Sequence, residues 1–224
     1  MISLLKDFLL NPPIKSGIKK LSIKNFLFLF VVELVVLLFF TIINDYFFGS
    51  YSNKFMDNIE EIYENVVLLI IIGAILFPVF EEFLHRYYLD YKSKSLLISA
   101  VLLLIYFLLT FDQQNLVQTV VHFFCFLFVT TFFLLKRFFD VVNIRILVWG
   151  SILFFGLFHT SNYESDIYLN NYFIIPILVM PQFIGGFFQA FIRIHYRFIY
   201  CVLYHGFFNL IIFTSGFIEY TFFR

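Results

Sequence analysis

Charge is what this sequence has least of. Lys, Arg, Asp and Glu make up only 13% of its 224 residues, where a soluble domain carries roughly a quarter. So few charges cannot cover the water-facing surface of a globule this size. The 15 basic and 15 acidic residues cancel, so no excess positive charge recruits nucleic acid. The two cysteines, Cys125 and Cys201, share no CxxC spacing, which removes the usual redox and metal frameworks and leaves them as packing residues. Strict alternation of apolar and polar residues, the mark of an outer-membrane barrel strand, is absent. No internal repeat marks the duplicated halves of a secondary transporter. Met1 to Leu10 are too mixed for a signal peptide, and no small-residue cleavage site follows them.

What the chain has instead is apolar bulk. Hydrophobic residues reach 62%, with 37 Phe, 14 Tyr and a mean hydropathy of +0.92. Disorder requires the opposite composition, and the natural solvent is a bilayer. Runs near the roughly 20 residues that a spanning helix needs fall at 25–43, 65–89, 95–111, 116–135, 146–160, 172–192 and 198–216. The expected architecture is an all-α, polytopic transmembrane helical bundle of about seven spans. Residues 1–24 form a cytoplasmic arm and 25–216 a single membrane domain. Within the arm, Ile2, Leu4, Leu5, Phe8 and Leu9 suit a short interfacial helix stopped by Pro12 and Pro13.

Orientation follows from the basic residues. Lys6, Lys15, Lys19, Lys20 and Lys24 lie in the arm. Arg86, Lys92 and Lys94, then Lys136, Arg137 and Arg145, then Arg193 and Arg197 lie in alternate connections. The opposite side keeps Lys54 and Arg224 beside Asp45, Asp57, Glu60, Glu61, Glu64, Asp112, Glu164 and Asp166. The N-terminus is therefore expected on the cytoplasmic side, of a bacterial inner membrane because no organelle-targeting segment is apparent.

Ionisable residues inside hydrocarbon are costly and mark candidate sites. The second span ends in Phe77-Pro78-Val79-Phe80-Glu81-Glu82-Phe83-Leu84-His85-Arg86. Glu82 and Arg86 are four apart with the acid first, the better orientation for a helical pair. Glu81 lies about 100° around the helix from Glu82, so Arg86 cannot serve both. Glu82 then reads as a structural carboxylate and Glu81 as the one free to handle a proton. The plain alternative is a salt bridge at the membrane edge. On the seventh span, His205 and Asn209 share a face and offer two donors of the kind a developing oxyanion needs; the plain alternative is interhelical glue. His159 closes the fifth span among Phe154, Phe155 and Phe158. These polar groups, drawn from three spans, could close around one water molecule. Glu33 and His122 match no motif. Pro176, Pro181, Gly185 and Gly186 point to a kinked sixth span, a packing feature or a movable wall for substrate entry.

Glu81-Glu82-x-x-x-Arg86, Phe155-x-x-x-His159 and His205-x-x-x-Asn209, in that order on three spans, resemble the three-motif signature of the CPBP family. These are the membrane endopeptidases related to the eukaryotic CAAX-processing enzyme and to bacteriocin-immunity proteins. The resemblance covers about Pro78 to Leu210. It implies that Glu81 and His159 activate the attacking water, that Glu82 and Arg86 support them, and that His205 and Asn209 stabilise the oxyanion. The substrate it implies is a membrane-associated protein or peptide. The family has been described both as metalloproteases and as metal-independent glutamate proteases; two His and a carboxylate (Glu81, His159, His205) could hold Zn²⁺ with an open position. A non-catalytic scaffold or immunity protein of the same fold is the competing expectation.

Three features depart from the family pattern. The stretch between Arg86 and Phe155 holds two additional spans, which preserves helix direction. Tyr87 stands where the family often has Gly. His159 lies 14 residues past Arg145, about 21 Å of helix, whereas His205 lies only eight past Arg197, about 12 Å. A shared site therefore asks the fifth helix to start later or to dip inward.

Overall fold

The computed structural model describes residues 1–12, 19–48, 66–111, 115–141, 143–163 and 172–223, and all regular structure among them is helical. Such a chain has little choice in hydrocarbon, where each backbone N–H and C=O must be bonded within its own segment. In chain order the helices are α1 (Ile2–Leu10), α2 (Ile23–Phe48), α3 (running from 66 to His85), α4 (Ser93–Leu109), α5 (Leu116–Phe139), α6 (Ile144–Phe158), α7 (Ile175–Leu178), α8 (Met180–His195) and α9 (Phe198–Phe223). Short 3₁₀ turns cover Tyr87–Asp90, His159–Asn162 and Tyr172–Ile174.

Five helices are long and apolar enough to cross a bilayer: Ile23–Asn44, Val67–His85, Leu116–Phe139, Ile144–Asn162 and Phe198–Ile218. They match five of the seven expected spans and make the chain consistent with an integral membrane protein. The other two expected spans differ. Ser93–Leu109 is apolar but has only 17 residues. The run expected at 172–192 is split into a 3₁₀ turn, α7 and α8, with a break at Val179. Pro176 and Pro181 each remove a helical N–H and each sits in the first turn of its own short helix, so one continuous helix cannot form. At 1.5 Å per residue, the 16 residues of α8 reach about 24 Å, short of a hydrocarbon core of about 30 Å.

That short helix occupies the centre of the bundle. It packs on α2, α6 and α9, and Gly185, Gly186 and every residue from Phe188 to Ile194 are buried. α1 is present as expected and stops at Leu10. Its Phe8 is buried edge-on against Phe187, Phe191 and His195.

Several contacts gather the basic connections. Arg145 Nε donates to Asn11 Oδ1 at 2.8 Å, Lys19 forms an isolated backbone bridge with Tyr196, and Arg193 donates to the carbonyls of Arg86 and Tyr87. The end of α1, the start of α6, the α8–α9 turn and the turn after α3 are thereby tied together. Of the charged residues used to assign sides, Lys15, Lys54, Asp57, Glu60, Glu61, Glu64, Asp112, Glu164, Asp166 and Arg224 lie outside the described residues, as does Pro13.

α3 is not regular. It is α-helical over Val66–Leu69, π-helical over Ile70–Leu76 and α-helical again over Phe77–His85. Pro78 explains part of this. It has no N–H, so the carbonyl of Ala74 loses the partner an α-helix would provide, and the N–H of Phe77 bonds Ile72 O, five residues back. The bend that Pro78 led one to expect is taken up as a π segment immediately before the two glutamates. A segment of this kind leaves carbonyls for other groups to satisfy, and α9 supplies one. Asn209 Nδ2 donates to Gly73 O at 3.1 Å. Beside it, a Cβ at Gly206 would stand 2.5 Å from Ala74 O, so only glycine permits this approach of α9 to α3.

Candidate functional site

The end of α3 carries Glu81, Glu82, His85 and Arg86, and its carbonyls are capped by side chains from three other helices. Ser99 on α4 donates to Phe83 O, Ser151 on α6 to His85 O, and Arg193 on α8 to Arg86 O (3.0 Å) and Tyr87 O (3.2 Å). A helix terminus leaves its last carbonyls without partners, and here those partners fix where the acidic pair stands. Burial pulls the Arg193 guanidinium down from its ordinary value, partly opposed by Asp90, 4.0 Å away.

Glu82 is fully buried and fully engaged. Its Oε1 accepts from Arg86 Nη1 (3.2 Å) and faces His205 Nδ1 (2.8 Å), and its Oε2 accepts from Cys201 Sγ (2.8 Å). The Arg86 guanidinium, also 0% exposed, lies 3.6 Å above the centre of the Phe155 ring. Replacing water by an aromatic face in this way is a cation–π contact.

Glu81 is placed differently. Its side chain is 28% exposed, and His205 Nε2 stands 3.5 Å from its Oε2. His205 therefore lies between two carboxylates, held firmly by one and loosely by the other. Because a carboxylate oxygen accepts, Nδ1 of His205 carries a proton. A second proton on Nε2, or one on Glu81, completes the contact on the other side.

His159 opens the 3₁₀ turn at the end of α6. Its Nδ1 lies 2.9 Å from Phe155 O. A carbonyl only accepts, so Nδ1 is the donor and, in the neutral ring, Nε2 is left as a lone pair able to take a proton. The Phe155 ring touches His85, His159 and His205 edge-on.

Glu81, His159, His205 and Asn209 line one cavity of about 460 Å³ with Phe80, Tyr106, Phe155 and Phe158. α6 begins at Ile144, not later, and both histidines still reach this cavity. Glu82 and Arg86 stand outside the lining, behind Glu81. The three motifs are thus brought together with the two carboxylates in unlike surroundings: Glu82 satisfied in the protein, Glu81 facing open space.

As placed, the residues do not form a zinc site. Both ring nitrogens of His205 face carboxylates, and Nδ1 of His159 is taken by Phe155 O. Among the described residues, no group of three or more His, Cys, Asp and Glu side chains is disposed to hold a metal ion. No step below passes through one.

The site also includes residues that sequence reasoning left aside. Cys201, assigned to packing, donates to Glu82; it lies four residues before His205, on the same face of α9. Glu33, buried on α2, lines the cavity and accepts from Tyr204 Oη at 2.5 Å. A lone acid in the most apolar helix was the available signal. His122 is buried on α5, where its Nδ1 pairs with Thr110 Oγ1 at 2.8 Å, outside the cavity lining.

No family model, curated protein or solved structure matches this chain.

Proposed function

We propose that the chain is an intramembrane endopeptidase of the CPBP type, hydrolysing a peptide bond of a membrane-associated protein or peptide. The observation that carries this reading is the cavity shared by Glu81, His159, His205 and Asn209, with Glu82 and Arg86 locked behind it. A water between Glu81 and the free Nε2 of His159 gives up a proton to Glu81 as its oxygen bonds the scissile carbonyl carbon. The carbonyl π pair moves onto oxygen. In its imidazolium form His205 donates to Glu82 through Nδ1 and toward Glu81 through Nε2. Once Glu81 is neutral it competes less for that N–H, which turns to the oxyanion. Asn209 has a second N–H besides the one given to Gly73 O. Collapse re-forms the carbonyl, breaks the C–N bond and passes the proton from Glu81 to the leaving amine.

The same reading places seven crossings in the membrane, N-terminus inside, with α4 and the α7–α8 pair as the shorter two. Its support is the gathering of the basic connections at shared contacts and the positive-inside rule. A bacterial inner membrane follows from the family resemblance alone.

A second reading, a scaffold or immunity protein that binds a partner without cutting it, is favoured by one observation. The donors of His205 and Asn209 already have partners within the protein. Proteomics of native membranes separates the two. Wild type and Glu81→Ala are compared for new peptide termini. Termini found only with wild type support hydrolysis; identical patterns, with Glu81→Ala still inserted in the membrane, give first place to the scaffold.

A further inference from the structure

One wall of the cavity plays no part in the hydrolytic chemistry above. Glu33 on α2 is 1% exposed, and its Oε2 holds the Tyr204 hydroxyl. Its Oε1 points toward α8 at Gly185, where a Cβ would stand only 3.6 Å from it. Along the same face of α8 lie Gln182 and Gln189, three residues before and four after that glycine, both lining the cavity. The Oε1 atoms of both are buried without a hydrogen-bond partner among the described residues, and Gln189 is 4% exposed. Three acceptors thus face one space, and two have nothing to accept. Unmatched buried acceptors are costly, and in native proteins they usually mark a missing ligand or ion.

The charge balance of the cavity gives the sign of that ligand. Its described lining holds two carboxyl groups, Glu33 and Glu81, and three histidines, but no Lys or Arg. Arg86, behind the wall, is already bound to Glu82. The rest of the lining is largely apolar and aromatic, including Leu37, Phe80, Tyr106 and Phe208. An ammonium or guanidinium group on an aliphatic stem suits both features. Its charge meets Glu33, its N–H groups meet the glutamine oxygens, and its stem lies on the aromatic wall.

We infer that the Glu33–Gln182–Gln189 wall is a subsite for a Lys or Arg side chain of a membrane-docked peptide, so that this cavity selects peptides with a basic residue inside an otherwise apolar stretch. The inference rests on the cavity being the substrate site, and its test does not depend on cleavage. The full-length protein in phosphatidylcholine nanodiscs is titrated with three fluorescent apolar peptides that differ only in a central Lys, norleucine or Glu. Wild type binds the Lys peptide about tenfold more tightly than the norleucine peptide, the effect of one charge-assisted pair. Glu33→Gln removes that preference. Gln182→Glu, at a half-buried position, raises it and keeps the test decisive even where Glu33→Gln fails to fold. Equal binding of the three peptides by wild type, or a Lys preference undiminished in folded Glu33→Gln, overturns the subsite. Lys-selective binding without cleavage leaves the subsite standing and removes the hydrolysis; cleavage without Lys selectivity does the reverse.

Discussion

Asn209 donates its side-chain amide to the carbonyl oxygen of Gly73 at 3.1 Å, 136 residues away. The bond joins the catalytic face of α9 to the irregular part of α3. Asn209→Ala leaves that carbonyl short of a donor and is expected to cost about 1–3 kcal/mol. Asn209→Asp presents an acceptor to an acceptor and costs more. Denaturant titration in detergent micelles reads both, and the order Asp worse than Ala is the diagnostic result.

Gly206 admits no side chain. Its Cβ would meet Ala74 O at 2.5 Å, a backbone atom that cannot rotate aside. Gly206→Ala is expected to push α9 away from α3, lower stability by about 1–3 kcal/mol and lengthen the His205–Glu82 contact. Full activity with wild-type stability in this variant would show that the two helices are not held at this distance.

The two glutamates should separate cleanly on substitution. Glu81→Gln keeps shape and removes the base, so cleavage is lost while the unfolding midpoint stays near wild type. Glu82→Gln leaves Arg86 buried without a full countercharge and is expected to lose about 3–5 kcal/mol as well as activity. Retained proteolysis of an identified substrate by Glu81→Gln would remove Glu81 from the role of base.

Arg193 serves two carbonyls from two nitrogens, Nε to Arg86 O and Nη2 to Tyr87 O. A lysine presents a single nitrogen and cannot reproduce that fork. Arg193→Lys is expected to cost about 1–2 kcal/mol and to speed hydrogen exchange in the 86–90 turn more than in α5.

Acid should loosen α1. Burial pushes the His195 imidazole below its ordinary 6.5, its hydrogen bond to Phe191 O opposes this, and the charge of Lys19 adds to the lowering. With the docked value depressed, the undocked state binds more protons. The packing of Phe8 on this ring is therefore fully supported above pH 6.5 and weakened as pH falls below it. Hydrogen exchange in 2–10, compared at neutral and acidic pH, should rise on acidification, and less so in His195→Phe.

The local part of the site was legible in the sequence. Glu82 with Arg86 and His205 with Asn209 follow from helical spacing alone, and both pairs face as that spacing requires. What tied them together was not legible. The engagement of Glu82 by His205 depends on the register of α9 against α3, which rests on Gly206 beside Ala74 O, a contact between residues far apart in the chain. Glu33 was visible as a lone acid in an apolar helix, yet its partner Tyr204 lies 171 residues away. The five long helices could be read from apolar length. The break at Val179 could not, because the run 172–192 stays apolar across it; Pro176 and Pro181 suggested a kink, whereas each begins a separate helix.

The π segment at 70–76 has a consequence for phase. A wide turn holds more residues than an α turn, so it acts as an inserted position that rotates everything after it relative to everything before. Glu81 and Glu82 face α9 only because that offset precedes them. Deleting one residue within 70–76 would return the helix to α geometry and swing both carboxylates about 100° around the axis. The chemistry of the cavity is thus set by the length of a stretch that contributes no catalytic side chain. In that stretch a missing residue should do more harm than a changed one.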